Sequence, residues 1–163
     1  MKRMLIVYFS RTGGSRQLAE AAREGGAESA EIALEFLKAD AAGPDDLLAA
    51  DGYLFACPEN LAAIAGGMKE FFDRSYYPVL GKIEGRPYAA IICAGSDGEN
   101  AKRQLERICT GWRLKRIADT QIVNVKAQTP EDILAQKTIE DADLAAARDL
   151  GTTLAAGLEM GVF

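Results

Sequence analysis

The chain has 163 residues, 48% hydrophobic and 26% charged, with a formal net charge of −5. That is the composition of one globular domain with a sizeable core. The acidic balance and the lack of any Lys/Arg run argue against nucleic acid as the main partner, and no apolar segment reaches the ~18 residues of a membrane span.

Residues 3–9 read as a buried strand, nearly all apolar, as a parallel strand covered on both faces requires. Met1-Lys2-Arg3 ahead of this run has the look of a signal peptide, but the run passes straight into a Gly/Ser loop with no small-residue cleavage site. The loop is Ser10-Arg11-Thr12-Gly13-Gly14-Ser15, and a helix follows to Gly25-Gly26. A helix N-terminus presents free N–H groups and partial positive charge. Gly13 and Gly14 let backbone amides approach an anion, and Ser10, Thr12 and Ser15 add hydroxyl donors. The loop reads as a phosphate holder, or simply as a well-capped turn. It has neither the Lys of a Walker A motif nor G-x-G-x-x-G, so a nucleoside triphosphatase and the usual dinucleotide fingerprint are both set aside.

Residues 30–36 suit a short second strand, and Gly43-Pro44-Asp45-Asp46 opens a helical turn through Leu48. Tyr53 to Cys57 is a third strand, stopped by Pro58, with Glu59, Asn60, Leu61, Ala62 and Ala63 as its loop. Met68, Phe71 and Phe72 stand at i, i+3, i+4 on a helix ended by Pro78. Tyr88 to Cys93 is the fourth strand. Gly95-Ser96-Asp97-Gly98-Glu99 is a second glycine-rich strand-to-helix loop, before a stripe of Ala101, Leu105, Ile108 and Cys109. The last β material falls in two pieces around Asp119. Thr129 caps a helix start at Pro130, and a final helix carries Ile139, Ala142, Ala146, Leu150, Leu154 and Leu158.

The absence of histidine removes Ser-His-Asp and Cys-His catalysis and imidazole-ligated metal. Cys57, Cys93 and Cys109 have neither metal-ligand spacing nor a C-x-x-C pair. They read as small hydrophobes in a protein of the reducing cytoplasm. No catalytic side chain and no metal ligand is assigned; chemistry must come from carboxylates, hydroxyls, backbone groups or a cofactor.

Alternating strands and helices imply an α/β fold, a parallel sheet with helices on both faces. Ligands of such sheets bind outside the carboxyl ends of the strands, where strand order reverses. The loops at 10–15, 58–63 and 95–99 converge on that edge.

Those three loops carry a resemblance. Tyr8 to Ser15 is similar to the flavodoxin phosphate loop S/T-x-T-G-x-S/T. Pro58-Glu59-Asn60 through Gly66, Met68, Lys69 and Asp73 resembles the P-E-Y-x-x-S-x-P-G-x-L-K-x-x-x-D segment of NADPH-dependent FMN reductases. Ala94 to Gly98 looks like the third flavin loop of both groups. The resemblance implies a flavodoxin-like three-layer sandwich over residues 1–163, with a five-stranded parallel sheet ordered 2-1-3-4-5. It implies FMN as cofactor, its phosphate held by Ser10, Arg11, Thr12, Gly13, Gly14 and Ser15. Pro58, Glu59, Asn60, Leu61 and Ala62 would line one side of the isoalloxazine, and Gly95, Ser96, Asp97 and Gly98 the other.

The chain also departs from its relatives. Asn60 stands where the reductases often have Tyr, Ala65 where they often have Pro, and no aromatic residue occurs in the flavin loops. An uncovered flavin suits substrate access better than it suits a one-electron carrier. Tyr76, Tyr77 and Trp112 are the available aromatics, expected as packing residues before cofactor contacts. Glu59 would meet a ribityl hydroxyl or solvent, Asp97 a flavin N–H or the following helix, and Arg11 a phosphate or a nicotinamide nucleotide; Lys69 reads as a solvated charge. The resulting expectation is an FMN-dependent NAD(P)H oxidoreductase passing electrons to a quinone, a flavin or another small acceptor, as a homodimer or homotetramer. Two alternatives stay open: a flavodoxin-type carrier, and a flavodoxin-like domain that binds another phosphorylated ligand.

Overall fold

The first apolar run forms β1 (Lys2–Tyr8), in which Met4, Leu5, Ile6 and Val7 are fully buried. In the computed structural model, which describes residues 1–163, β1 lies parallel between β2 (Ile32–Lys38) and β3 (Gly52–Asn60). β4 (Ala63–Ile64) folds back antiparallel on β3, and β5 (Pro87–Ala94) continues the parallel sheet beyond β3. The last position is shared by β6 (Lys115–Arg116) and β7 (Gln121–Asn124), each parallel to β5. The expected order is thus kept, but in a sheet of seven strands. The fifth strand is split, and β4 is added by a hairpin.

Helices α1 (Gly14–Gly26) and α6 (Asp141–Met160) cover one face, over Met4, Ile6 and Leu54. On the other face α2 (Pro44–Ala49), α3 (Gly66–Val79) and α4 (Glu99–Gly111) pack Leu47, Phe71, Phe72 and Leu105 against Leu5, Val7 and Phe55. A short helix, α5 (Pro130–Leu134), has no buried residue; Thr129 caps it as expected, its Oγ1 accepting the Asp132 N–H at 3.1 Å. No helix is long and apolar enough to cross a membrane.

Three expectations are corrected. Pro58 does not stop β3, which runs to Asn60. The Ala56 carbonyl points toward β1, accepting the Phe9 N–H at 3.0 Å, so Pro58, two residues on, faces the same side. The last β1–β3 pair is Tyr8 with Ala56, so the missing proline donor points past the end of β1, and the Pro58 carbonyl accepts from Ala65 at 3.1 Å. Pro78 lies inside the last turn of α3, one residue before its end. The apolar stripe of the last helix holds only in part: Ile139, Leu154 and Leu158 are buried as expected, but Ala142 and Ala146 are exposed and Ala147, Gly151 and Ala155 are buried instead. The seam with α1 is made of small residues. A Cβ on Gly151 would sit 1.9 Å from the Ala22 carbonyl, and one on Gly25 would sit 2.0 Å from that of Arg148. Backbones this close leave no room for the large apolar residues by which a stripe is recognised.

Candidate functional site

At the carboxyl edge of the sheet the three loops surround a cavity of about 460 Å³, within the usual range for small-molecule sites. Of the residues singled out from sequence, Ser10, Arg11, Thr12, Ser15, Pro58, Glu59, Asn60, Leu61, Ala62, Gly95 and Ser96 line it. Gly13 and Gly14 of the same loop do not line it: Gly13, at φ +91°, is the N-cap of α1, and a Cβ on Gly14 would meet the Cys93 Sγ at 2.8 Å. Gly98 holds the equivalent place before α4 at φ +92°, and Asp97 accepts the Glu99 N–H at 3.4 Å, the helix-capping alternative.

The first loop is built to take an anion. The first helical bond of α1 runs from Gln17 N–H to the Gly13 carbonyl at 3.1 Å, so the amides of the turn before it have no partner within the helix. The Ser10 hydroxyl is spent on the loop itself, accepting the Gly13 N–H at 3.1 Å. The Ser15 Oγ is buried with no partner at all. A buried hydroxyl without a partner costs about 1–3 kcal/mol, and here it sits in the cavity wall among free amides. Arg11 and Lys137 bring positive charge to the same wall.

The stretch read as a loop at 58–63 is a β-hairpin. Glu59 pairs with Ile64 and Asn60 with Ala63, leaving Leu61 and Ala62 at the turn with φ of +51° and +62°. Two successive positive φ values define the turn that ordinarily demands Asn-Gly. Each non-glycine residue held there costs roughly 1–2 kcal/mol. Leu61 projects its whole side chain into solvent at the cavity rim.

Glu59 is the tie between the second and third loops. One carboxylate oxygen accepts the Gly98 N–H at 2.9 Å and the other the Ala101 N–H at 3.2 Å. The residue therefore caps α4 from another loop, at the end where the helix dipole favours an anion. The Ala62 carbonyl accepts from Asn100, and the Ile64 N–H donates to Gln104 Oε1 at 2.9 Å, completing the clasp.

Sequence reasoning missed the fourth wall. Val125, Ala127, Ile133, Leu134 and Lys137 line the cavity from the stretch between β7 and α6. Gln17 stitches this stretch to α1: its Nε2 donates to the Lys137 carbonyl at 2.7 Å, and its Oε1 accepts the Ile139 N–H at 3.1 Å. The Lys137 N–H donates to the Thr12 carbonyl at 2.8 Å. The available signal was Ile133 and Leu134 on a capped helix of five residues, too short to bury its own apolar side chains. Cys93 is a further wall residue; burial pushes its thiol up to about 11 despite the opposing charge of Lys137. Trp112 and Tyr76 stack at 5.6 Å inside the far end of the α3–α4 layer, and no aromatic residue lines the cavity. Lys69 pairs with Asp73 in solvent.

Comparison with known proteins agrees with this geometry. Residues 5–129 match the sequence profile of the family described as NADPH-dependent FMN reductase. A flavodoxin of Aquifex aeolicus (strain VF5) is 33% identical over 100 residues, 60% of this chain and 53% of that protein, so the chain matches about half the length of this relative. Among solved structures, an archaeal flavodoxin superposes with a TM-score of 0.76 at 18% identity, covering 96% of this chain and 99% of its own. A WrbA-like flavodoxin from Agrobacterium tumefaciens gives 0.72 at 21%, covering 98% and 99%. The fold is flavodoxin-like, the chain belongs to the NADPH-dependent FMN reductase family, and its cofactor is FMN.

Proposed function

We propose that this member of the NADPH-dependent FMN reductase family accepts hydride from NAD(P)H at an FMN held in the cavity and passes the electrons to a quinone, a flavin or another small acceptor. The observation that carries the proposal is the cavity wall. It offers free amides and an unpartnered buried hydroxyl at one end, and at the other it has no aromatic side chain to cover a flavin ring.

In this reading Ser15, Thr12 and the first-turn amides of α1 bind the FMN phosphate, with Arg11 and Lys137 supplying charge. The hairpin from Pro58 to Ala62 and the loop from Gly95 to Gly98 flank the isoalloxazine. Leu61, Ile133 and Leu134 shield its edge from water. Bound FMN supplies the hydride and electron chemistry. The chain positions it and leaves one face free for the nicotinamide, which needs no histidine. The absence of cover also separates this reading from that of a carrier, the reading favoured by the flavodoxin relative. We further propose that the chain acts as one domain in the cytoplasm, its three thiols free, and as a homodimer or homotetramer, to be checked by light scattering.

The test is anaerobic mixing of FMN-loaded protein with NADPH and with NADH. Rapid loss of the flavin's visible absorbance is expected with at least one nucleotide. Retained absorbance with both rejects the reductase and leaves the carrier; failure to bind added FMN at micromolar concentration rejects both.

A further inference from the structure

The fourth wall of the cavity is a strap pinned at two ends. At one end the Ala127 N–H donates to the Gly95 carbonyl of the third loop at 2.9 Å, and at the other the Lys137 N–H donates to the Thr12 carbonyl of the first loop at 2.8 Å. Folding fixes both ends, and every residue between them, 128–136, is exposed. The strap carries α5, whose five residues bury no side chain, and so short a helix does not hold itself in water. Its N-terminus rests on the Thr129 cap and its C-terminus on one side chain: the Lys137 ammonium donates to the carbonyls of Ile133 at 2.9 Å and Ala135 at 2.5 Å. The third N–H of that ammonium reaches Thr12 Oγ1 at 3.3 Å, in the loop built to take an anion. No carboxylate pairs with Lys137. Ile133 and Leu134 line the cavity beside it, yet they stay 49% and 69% exposed.

We infer that Lys137 is a positioning residue that rivets this strap to the phosphate of the bound flavin, so that the phosphate at one end of the site closes the strap over the flavin edge. The inference rests on placing the FMN phosphate at Ser15 and Thr12. An ammonium has three donors, and two are committed to the strap. A phosphate oxygen is a stronger acceptor than a hydroxyl, so it takes the third N–H from Thr12, whose own hydroxyl then turns to donate to the same phosphate. Lys137 keeps its strap carbonyls, and α5 gains a charged anchor at the end where a cation is favoured. Ile133 and Leu134 then lose water against the flavin. A flavin without phosphate provides no anchor, and the strap stays as loose as in the empty protein. Cover and phosphate contact are gained together, so the site selects a phosphorylated flavin by more than the contact alone.

The test is amide hydrogen exchange at Ile133 and Ala135, in wild type and Lys137→Met, without ligand, with saturating FMN and with saturating riboflavin. The readout is the ratio of rates without and with ligand, so a strap already looser in the variant is accounted for. One charge-assisted contact corresponds to about ten- to a hundredfold in an equilibrium constant. In the wild type FMN should slow exchange by about tenfold or more, and riboflavin by less than about threefold. In Lys137→Met, saturating FMN should slow it by less than about threefold; the FMN dissociation constant should rise by about tenfold or more, and that of riboflavin should stay within about threefold. Equal protection by riboflavin would show that the ring alone closes the strap. Protection retained in Lys137→Met would show that Lys137 is not the rivet, and this arm decides if riboflavin does not bind. No protection by FMN in the wild type would show that the strap does not close. Each of these overturns the inference. Ser15→Ala separates it from the reading beneath it: unchanged FMN affinity in that variant removes the phosphate from this loop and the inference with it. Weakened affinity there, with wild-type strap exchange unmoved by FMN, removes the strap's role alone.

Discussion

Replacing Glu59 separates a structural clasp from a cofactor contact. Its carboxylate receives two backbone N–H groups of α4, at 2.9 and 3.2 Å, where Gly98 gives the helix no side-chain cap of its own. Loss of a cap costs about 1–2 kcal/mol, and the charge at the dipole's positive end adds about 0.3–1 kcal/mol. Glu59→Ala should therefore destabilise the flavin-free protein by about 1.5–3 kcal/mol. At roughly 2–4 °C per kcal/mol for a chain of this size, its Tm should fall by about 3–12 °C. Glu59→Gln keeps one acceptor and loses the charge, so about half that fall is expected. Thermal melts of both variants without flavin give the first readout, and quenching of FMN fluorescence gives the second. A Tm within about 1 °C of wild type, together with a large loss of FMN affinity, would refute the clasp and restore Glu59 as a direct flavin contact.

Ser15→Ala removes the buried unpartnered hydroxyl. The flavin-free protein should keep or gain up to about 1 kcal/mol of stability, while FMN affinity falls by about tenfold or more; unchanged affinity would mean that the hydroxyl does not face the phosphate. Leu61→Asn with Ala62→Gly puts at the turn the residues its backbone asks for. After the entropy cost of the glycine the net gain should be about 1 kcal/mol, seen as a higher urea midpoint with unchanged m; no gain would show the turn to be unstrained. Burial pushes the thiols of Cys57 and Cys93 up to about 12 and about 11. In the unfolded chain these thiols ionise from about pH 8.5, so as pH rises the unfolded state loses its protons first. Their contribution is intact below that pH and declines toward the folded values by up to about 1.4 kcal/mol per pH unit for each thiol. Urea midpoints should therefore drop steeply from pH 9 to 10.5, less so in Cys93→Ala, and a flat profile would contradict the burial of both thiols.

Much of the fold was legible because the central parallel strands, β1, β3 and β5, are largely buried. A strand such as Leu5-Ile6-Val7 admits little but apolar residues, and the glycines at 13–14 and at 95 and 98 punctuate it. The first and third loops were legible for a related reason: backbone geometry at Gly13 and Gly98, both at positive φ, restricts residue choice. The second loop was misread because its turn uses Leu61 and Ala62, which carry no turn signal; tertiary contacts from Glu59, Asn100 and Gln104 hold the backbone where local preference would not. The α1–α6 seam escaped because close approach selects for the lack of a side chain. The wall at 125–139 escaped because the Gln17 side chain meets the main chain of Lys137 and Ile139 across the fold, and the Lys137 N–H meets the Thr12 carbonyl, and pairings of that kind leave no periodicity in either segment.

These same long-range ties bear on how the site binds. Each loop at the carboxyl edge is held by a side chain belonging to another element: the hairpin by Asn100 and Gln104 of α4, the turn at Gly98 by Glu59 of β3, the stretch before α6 by Gln17 on α1, the loop at Ser96 by Asn124 of β7. Ordering a loop costs on the order of 1–2 kcal/mol per residue. When folding has already fixed the loops, binding does not carry that cost, and a few polar contacts suffice for affinity. The one place where free energy is held back is local. Ser15 waits without a partner and Leu61-Ala62 waits in a disfavoured turn, at opposite ends of one cavity. A ligand that reaches both ends gains from giving Ser15 its partner and from burying the exposed Leu61 side chain, so the cavity favours an elongated molecule with an anionic head over a bare phosphate.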